Sequence, residues 1–583
     1  MRKKKNKNII IGLLCVMLVF MGIGYALISQ NLTIKGIGNV KGKWDVHISD
    51  IKLLSKTGMA EDKSHTFNNL LAEFQTEVYA PGDSLEYEVT LINAGNIDAV
   101  INNVTAEITG SPTIKFNVSG IEKGDKLLSG ATKAIIITIT FDSDVTSLPS
   151  IKTSTLTVNI ECVQGDQNVE NEQLVVYQPI MKAHEESVST SSYFLEGPLT
   201  RSEIESIKFT NTKDVPSTAL GSFDVSTDSK KGIMAWYYDD DSDNLYELTI
   251  GQDGGVIGNS DMSSLFASLS NLTELDLEWL DTTNATSMAR MFYGITNITE
   301  LNLSNFNTSN VTDMGRMFYN LNSLTSLNIS NFDTTNVKYM NSMFYNLSNL
   351  SSLDLSNFNT SNVELMNSMF YGLSNVTKLD LSNFNTSKVT DMNRMFYSNR
   401  SLVDIDLSSF DTSNVTDMSL MFIASSSLKR LDLKNFVTSK VQNMSSMFQR
   451  CSSLEYLNVS SFNTSRVTNM SRMFYGLSKI TSLELTNFNT SEVLNMSNMF
   501  SESSLLTNLN LSSFATSKVT DMTRMFYKCS SLSNLDLSQA SFGSVTANDA
   551  IFTSVPSNVT ITINSASKDY ILNLLPDANI IEV

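Results

Sequence analysis

Cysteine and histidine are scarce in this sequence, with four and three copies among 583 residues. The histidines are His47, His65 and His184, so the chain beyond residue 200 has none. A Ser-His-Asp arrangement or a histidine-rich metal centre is therefore excluded there. The sequence also lacks a glycine-rich phosphate-binding loop. We expect no enzymatic activity, no cofactor and no bound metal.

The cysteines do not indicate a disulfide framework. Cys451 and Cys529 are 78 residues apart, which is three times the 26-residue repeat described below. Because stacked strands lie about 4.8 Å apart, three units separate the pair by roughly 14 Å, beyond disulfide reach. Leucine holds the same position in other units, so both cysteines are predicted to be small core residues.

Charged residues are also few, at 17% of the chain, and they are unevenly distributed. Residues 29–261 hold 17 basic and 34 acidic side chains, a net charge of −17. Residues 262–542 hold 18 basic and 22 acidic side chains, a net charge of −4. Phosphate binding needs a basic surface, so nucleic acid is excluded as a partner.

The N-terminal residues indicate export. Five basic side chains in MRKKKNK precede an apolar run. This run of roughly 20 residues can cross a bilayer, with the short basic end inside. Gly24-Tyr25-Ala26 offers a small-x-small cleavage site. We expect residues 1–30 to be a signal peptide or, if uncleaved, a membrane anchor, which places the protein at the bacterial cell surface or outside the cell.

A 26-residue period dominates the rest of the chain. Leu265-Phe266 and Ile551-Phe552 mark its first and last appearance. Between them, a Met-Phe pair recurs every 26 residues, with phenylalanine at positions 292, 318, 344, 370, 396, 422, 448, 474, 500 and 526. Self-similarity at this period predicts stacked repeats in the leucine-rich-repeat range.

One unit shows the predicted local structure. Leu324, Leu327 and Ile329 follow the L-x-x-L-x-L pattern of a strand with alternate inward residues. The following apolar residues are three, four and three positions apart, as on one face of a helix: Val337, Met340, Phe344 and Leu347. We therefore predict an α/β leucine-rich-repeat solenoid with one strand and one short helix per unit.

Three further columns are assigned to folding. Two methionine columns, from Met262 to Met522 and from Met291 to Met525, take 21 of the 27 methionines and are predicted to fill the core. A threonine column from Thr282 to Thr516 is predicted to satisfy backbone groups at a turn.

The repeat run SNFNTSNVTDMGRMFYNLNSLTSLNIS, residues 304–330, carries a family resemblance. It resembles the BspA-like leucine-rich-repeat surface proteins of bacteria, in the group with a 26-residue repeat. The resemblance covers roughly residues 200–583, and residues 221–257 are similar to the segment that precedes the array in this group. It implies an exported, right-handed solenoid used for attachment and protein contacts.

The region before the repeats is predicted to consist of β-strands. Short alternating segments between turn signals such as Pro81-Gly82-Asp83 predict an immunoglobulin-like sandwich of about seven strands. The full predicted organisation is an N-terminal apolar segment (1–30), an all-β sandwich (31–165), a linker (166–199), an N-terminal cap (200–260), the repeats (261–557) and a C-terminal cap (558–583).

An acidic and amide column, here named the polar ladder, lies at the exposed strand position of eleven units. It is either a hydrogen-bonded stack that keeps the face soluble or a binding strip for a basic protein, a glycan or calcium. The polar ladder consists of Asp276, Asn302, Asn328, Asp354, Asp380, Asp406, Asp432, Asn458, Glu484, Asn510 and Asp536.

A second candidate surface lies on the predicted helices. Tyrosine follows the Met-Phe pair in seven units. In some of these units an arginine lies three residues before the tyrosine. These residues are either binding contacts or locally paired side chains. The candidates are Arg316, Tyr319, Arg394, Tyr397, Arg524 and Tyr527.

An acidic run, Asp239-Asp240-Asp241-Ser242-Asp243, could hold calcium but lacks the EF-hand spacing, so we expect a solvated turn.

The predicted function is an adhesin or protein-interaction scaffold that binds a protein or glycan on another cell or matrix. The alternative is a structural component of the cell envelope or biofilm matrix.

Overall fold

The structure is a computed structural model. It describes residues 29–37, 45–69, 71–111, 113–143, 154–165, 176–184 and 188–583. Residues 1–28 of the predicted signal peptide or anchor lie outside the described residues, as do residues 166–175 and 185–187 of the predicted linker. No helix in the described ranges has both the length and the apolar character needed to span a bilayer.

The N-terminal region forms two sheets. Its strands are β1 (Ser29–Ile37), β2 (Val46–Thr57), β3 (Glu61–Asn68), β4 (Leu71–Glu77), β5 (Ser84–Asn93), β6 (Ala99–Gly110), β7 (Ile114–Ser119), β8 (Lys126–Leu127), β9 (Thr132–Phe141), β10 (Ser154–Gln164) and β11 (Val176–Tyr177). One sheet has the order β2-β5-β9-β7, and the other has the order β11-β6-β10-β1-β4-β3 with β8 beside β6.

Alternation along these strands builds one shared core. Strand β5 buries every second residue, including Leu85, Tyr87 and Val89. Buried residues from the second sheet, such as Phe74 and Leu156, belong to the same hydrophobic cluster. Most strand pairs are antiparallel, whereas β1 pairs with β10 in parallel.

Residues 204–257 lead directly into the repeats. Their strands are β12 (Ile204–Thr210), β13 (Gly221–Asp224), β14 (Met234–Tyr238), β15 (Tyr246–Gly251) and β16 (Val256–Ile257). Strand β12 pairs in parallel with β17 (Glu274–Asp276), the first strand of the array, with Ile207 opposite Leu275. One hydrophobic cluster therefore runs from this region through all the repeats.

The repeats contain only short strands. These are β17, β18 (Leu280–Asp281), β19 (Arg430–Asp432), β20 (Tyr456–Asn458), β21 (Asn508–Asn510) and β22 (Asn534–Leu537), followed by β23 (Thr560–Ile563), helix α1 (Lys568–Leu574) and β24 (Asn579–Glu582). Strand pairs in the array are parallel and in register, so Arg430 lies opposite Tyr456. Isolated parallel bridges also join residues 26 apart, from Asp261 with Ser287 to Asp521 with Ala547.

The predicted helix in each unit is absent, so the α/β class and the strand-plus-helix unit are wrong. Within residues 261–557, all of which the structure describes, the chain forms turns, bridges and short strands but no helix. Arg316 and Asn320 have φ angles of 58° and 63°, and equivalent residues in the other units are also left-handed. Two left-handed residues per unit cannot belong to a right-handed helix.

The hydrogen bonds show what replaces the helix. The N–H groups of Met314, Arg316 and Phe318 donate to carbonyl groups of the next unit, at 3.0, 2.9 and 3.0 Å. The N–H of Met317 instead closes a tight turn onto the Met314 carbonyl at 3.2 Å. Successive turns point a side chain inward every three or four residues, and this spacing imitates a helical face.

Aromatic stacking fills the centre of the array. Neighbouring phenylalanine rings of the Met-Phe column are 5.4 to 6.0 Å apart, centroid to centroid, in an unbroken stack from Phe266 to Phe552. Both methionine columns are buried, as predicted. Cys451 and Cys529 are buried free thiols, also as predicted, and burial raises the pKa of each thiol to about 12.

Candidate binding surface of the repeat array

The polar ladder lies on one face of the array, which we call the strand face. Each ladder residue follows a strand residue that points into the core, as Asp380 follows the buried Leu379. Eight of the eleven ladder residues are exposed, and Asp276, Asn458 and Asp536 are half-buried. The structure thus brings the predicted column together as one continuous strip.

A local hydrogen bond explains the residue types of the ladder. In ten of the eleven units, the ladder Oδ1 accepts the backbone N–H two residues later, as Asp354 does from Ser356 at 3.0 Å. Aspartate and asparagine favour such turns because their short side chains reach this N–H. This local turn therefore accounts for one oxygen of each Asp and Asn in the ladder, and the Asn458 amide also donates to Asp432 Oδ1 at 2.9 Å.

These hydrogen bonds keep the ladder carboxylates charged. The N–H and hydroxyl of Ser356 lower the pKa of Asp354. Serines in the same relative position lower the pKa values of Asp380 and Asp406. With Asp432, these residues place four acidic side chains on consecutive units.

A second column, here called the hydroxyl column, flanks the ladder three residues earlier. In the units of Thr325, Thr507 and Ser533, the hydroxyl donates to the carbonyl of the column residue one unit before, at 3.4, 3.3 and 3.0 Å. In these units the hydroxyl therefore adds a bond between neighbouring units. Its members are Thr273, Thr299, Thr325, Ser351, Thr377, Thr481, Thr507 and Ser533.

Three consecutive units depart from the hydroxyl column. Val403, Lys429 and Glu455 hold its position, and the next residues are Asp404, Arg430 and Tyr456. We call these six residues the central patch. All six are exposed, and the Arg430 guanidinium carbon lies 4.2 Å from the centroid of the Tyr456 ring. The central patch is not among the sites predicted from the sequence, although a comparison of columns between units reveals its departures.

A groove borders the central patch. It encloses about 530 Å³ between the strands of two neighbouring units, residues 377–382 and 403–406. Asp380, Asp404 and Asp406 supply three carboxylates to its wall, while Lys378 supplies one ammonium group and Val403 an apolar side chain. The groove is therefore acidic with an apolar margin.

The tyrosine column does not lie on helices. Tyr319 stacks between Tyr293 and Tyr345, at 4.6 and 4.2 Å between ring centroids, and the stack continues through Tyr371 to Tyr397. The predicted helical placement of the Arg and Tyr candidates is thus wrong, because Arg316, Arg394 and Arg524 occupy left-handed turn positions. The Arg524 guanidinium still lies over the Tyr527 ring, at 5.6 Å.

This stacking limits what the tyrosines can bind. Tyr345 is half-buried and has a tyrosine ring against each face, so a sugar ring has no open face to stack on. Burial and the neighbouring hydroxyls of Tyr371 and Tyr319 raise the pKa of Tyr345. The column is best explained as part of the stack.

Acidic side chains near the start of the array could hold a cation. One ligand oxygen from each of Glu205, Asp241 and Asp243 lies within 4.8 Å of the others. Burial and the charges of nearby acidic residues raise the pKa of Glu205. The Asp243 carboxylate also accepts the Leu245 N–H at 2.7 Å, a contact typical of a tight turn.

The period, the columns and the bonds between units define a tandem-repeat protein. The family model described as "Mycoplasma protein of unknown function, DUF285" matches residues 260–379, 373–456 and 450–564. These matches together span residues 260–564, more than half of the chain, and the chain therefore belongs to this family. Comparisons with curated proteins and with solved structures gave no match.

Proposed function

We propose that the chain is an exported interaction protein whose strand face binds a protein on another cell or in the surrounding matrix. The exposed polar ladder carries this proposal. A local turn uses one oxygen of Asp354, Asp380 and Asp406, while these side chains remain exposed and form a polar surface across consecutive units. The resemblance to BspA-like surface proteins supports attachment as the role, and we propose binding without catalysis.

Residues 1–30 support export, through a cleaved signal peptide or a retained anchor. Antibody labelling of intact cells tests this part of the proposal. We expect labelling of the repeats without permeabilisation, or recovery of the protein from the medium. Labelling only after permeabilisation, with none in the medium, would contradict export.

A protein is a better ligand than a glycan for this surface. Sugar rings bind well to open aromatic faces, but Tyr319, Tyr345 and Tyr371 each have a tyrosine ring against both faces. The Tyr456 ring on the strand face has Arg430 over one side. Consecutive carboxylates instead favour a partner with basic side chains, through electrostatic complementarity.

Binding can be tested with the full-length chain, kept in detergent so that residues 1–30 remain in place. Fluorescent beads coated with the chain are incubated with host cells, immobilised matrix proteins and bacterial cells. We expect binding to at least one of these above beads prepared with detergent alone. Binding to none of them would refute the proposed function.

A matched variant tests the ladder charge in the same assay. It replaces Asp354, Asp380, Asp406 and Asp432 by Asn, the residue already present at Asn302. Asparagine keeps the Oδ1 acceptor for the turn and removes the charge. We expect an intact fold and weaker binding. Unchanged binding would show that the ladder charge is not used.

A structural role in an envelope or matrix is the second candidate. Strand β24 pairs with β23 on one side only, and Ile581 on it is 52% exposed. Such an edge favours pairing with another chain. Analytical ultracentrifugation separates the candidates, because ordered assemblies of the full chain favour the structural role and monomers favour the interaction protein.

A further inference from the structure

We propose that the central patch is the specificity-determining contact of the strand face. It fits a protein segment that presents an apolar side chain between one basic and one acidic side chain. This inference rests on the proposed function and identifies the site and the chemistry of the partner. Three observations support it: three neighbouring units have no hydroxyl residue in the hydroxyl column, the side chains of the central patch are exposed, and they carry charges of both signs.

Folding does not explain the departure. Val403 and Glu455 have no hydroxyl, so these units lose the side-chain bond that Thr507 and Ser533 make to the preceding unit. Their backbone bonds remain, since the Val403 and Glu455 N–H groups donate to the preceding units at 3.3 and 2.9 Å. The departure gives up a bond that stabilises other units, and such a departure from a local pattern favours a functional position.

The exposed residue types are those of protein-binding hot spots. Tyr456 is 37% exposed and Val403 is 41% exposed, although the equivalent positions elsewhere on this face carry small polar side chains in most units. Tyrosine and arginine are enriched at hot spots. The contact between Arg430 and Tyr456 orders two long side chains before any partner arrives, which lowers the entropic cost of binding.

Charge on the two sides of Val403 defines the partner. Asp380, Asp404 and Asp406 line the groove and outnumber its one lysine, Lys378, so the groove suits a basic side chain. On the other side, Lys429 and Arg430 suit an acidic side chain, with Val403 and Tyr456 available for apolar contact. This alternation opposes a polyanion, whose charges would meet the three carboxylates. It favours a polypeptide, which carries both signs and an apolar side chain.

The test uses peptides of random sequence, displayed on phage and selected on the immobilised full-length chain. A restored variant carries V403T, D404S, K429T, R430S, E455T and Y456S, which return the patch to residues found in the same columns. A control variant carries E300S and N508S, on the same face but in other units. Thermal unfolding checks that each variant folds. If the restored variant does not fold, the single variant Y456S replaces it in the binding test.

We expect the selected peptides to combine a basic, an apolar and an acidic residue. Their affinity should fall by about 100-fold on the restored variant, the size of a hot-spot loss, and stay unchanged on the control. No selected peptides, or equal affinity for the restored variant, would overturn the proposal. If the beads still bind cells in that case, the proposed function stands without this site; if they bind nothing, both fail.

Discussion

Nη1 of Arg201 donates a hydrogen bond of 2.8 Å to the carbonyl oxygen of Ala267. The same nitrogen donates to the Leu265 carbonyl at 2.9 Å. One unit later, the equivalent carbonyls of Met291 and Tyr293 accept backbone N–H groups of the first unit. Arg201, only 1% exposed, therefore takes the place of a preceding unit and closes the start of the array.

Replacing Arg201 by Met should open this end of the array. The variant leaves the Leu265 and Ala267 carbonyls without their charged donor, at a cost of about 3 kcal/mol in the free energy of unfolding. Hydrogen exchange should become faster in residues 262–268, while residues 444–450 keep their protection. Equal protection at both places would contradict the capping role of Arg201.

Thr360 should stabilise the junction between two units through its hydroxyl. This buried hydroxyl donates to the Asn385 carbonyl at 2.9 Å and accepts the Asn385 N–H at 2.8 Å. Thr360→Val keeps the shape but leaves both groups unpaired, so we expect urea denaturation to show a loss of about 2 kcal/mol. Thr360→Ser keeps the hydroxyl and should lose less. Similar losses for both variants would assign the effect to packing.

Phe396 should contribute far more to stability than its neighbour Tyr397. Phe396 is fully buried between Phe370 and Phe422, at centroid distances of 5.7 and 5.4 Å. Phe396→Ala should lower the free energy of unfolding by about 4 kcal/mol. Tyr397→Ala, at a half-buried position, is the matched comparison and should cost less. The opposite order would contradict the central phenylalanine stack.

Asp281 should make stability depend on pH. The carboxyl is 1% exposed, and burial raises its pKa despite a 2.7 Å bond from the Thr283 N–H. Because the pKa is higher in the folded state, the contribution of the carboxyl is most favourable below the unfolded pKa of about 4. It is lost as the pH rises through the folded pKa.

Asp281→Asn tests this dependence, because asparagine holds the equivalent position at Asn307 and stays neutral. We expect the variant to gain stability relative to the parent chain as the pH rises from about 4 towards neutral. Urea denaturation across this range measures the difference. If the difference in the free energy of unfolding between the two chains stayed constant across this pH range, the pKa of Asp281 would not change on folding.

The buried columns could be predicted from the sequence because their period is strict. Phe318 and Met314 recur at fixed positions, and burial follows from their chemistry. The helix could not be rejected, since inward turns and a helix both give offsets of three and four. The sequence also does not reveal which residue of each unit is left-handed, because residues as different as Arg316, Leu420 and Ser446 hold that position.

The candidate site was predictable only in part. The exposed ladder follows from strand alternation, but its turn hydrogen bond depends on the backbone path after the strand. The departures at Val403 and Tyr456 are visible in the sequence. Their meaning depends on knowing that hydroxyls such as that of Thr507 bond to the preceding unit.

Masking the strand face tests the central claim most directly. Polyethylene glycol maleimide is attached to the full-length chain carrying Ser482→Cys, on the strand face, or Ser530→Cys, three residues after Tyr527; both serines are exposed. The buried thiols of Cys451 and Cys529 should not react, and the unsubstituted chain is the reference for other labelling. We predict that the label at Ser482→Cys abolishes binding of the beads to cells or matrix and that the label at Ser530→Cys does not. Full binding with the label at Ser482→Cys would contradict the account.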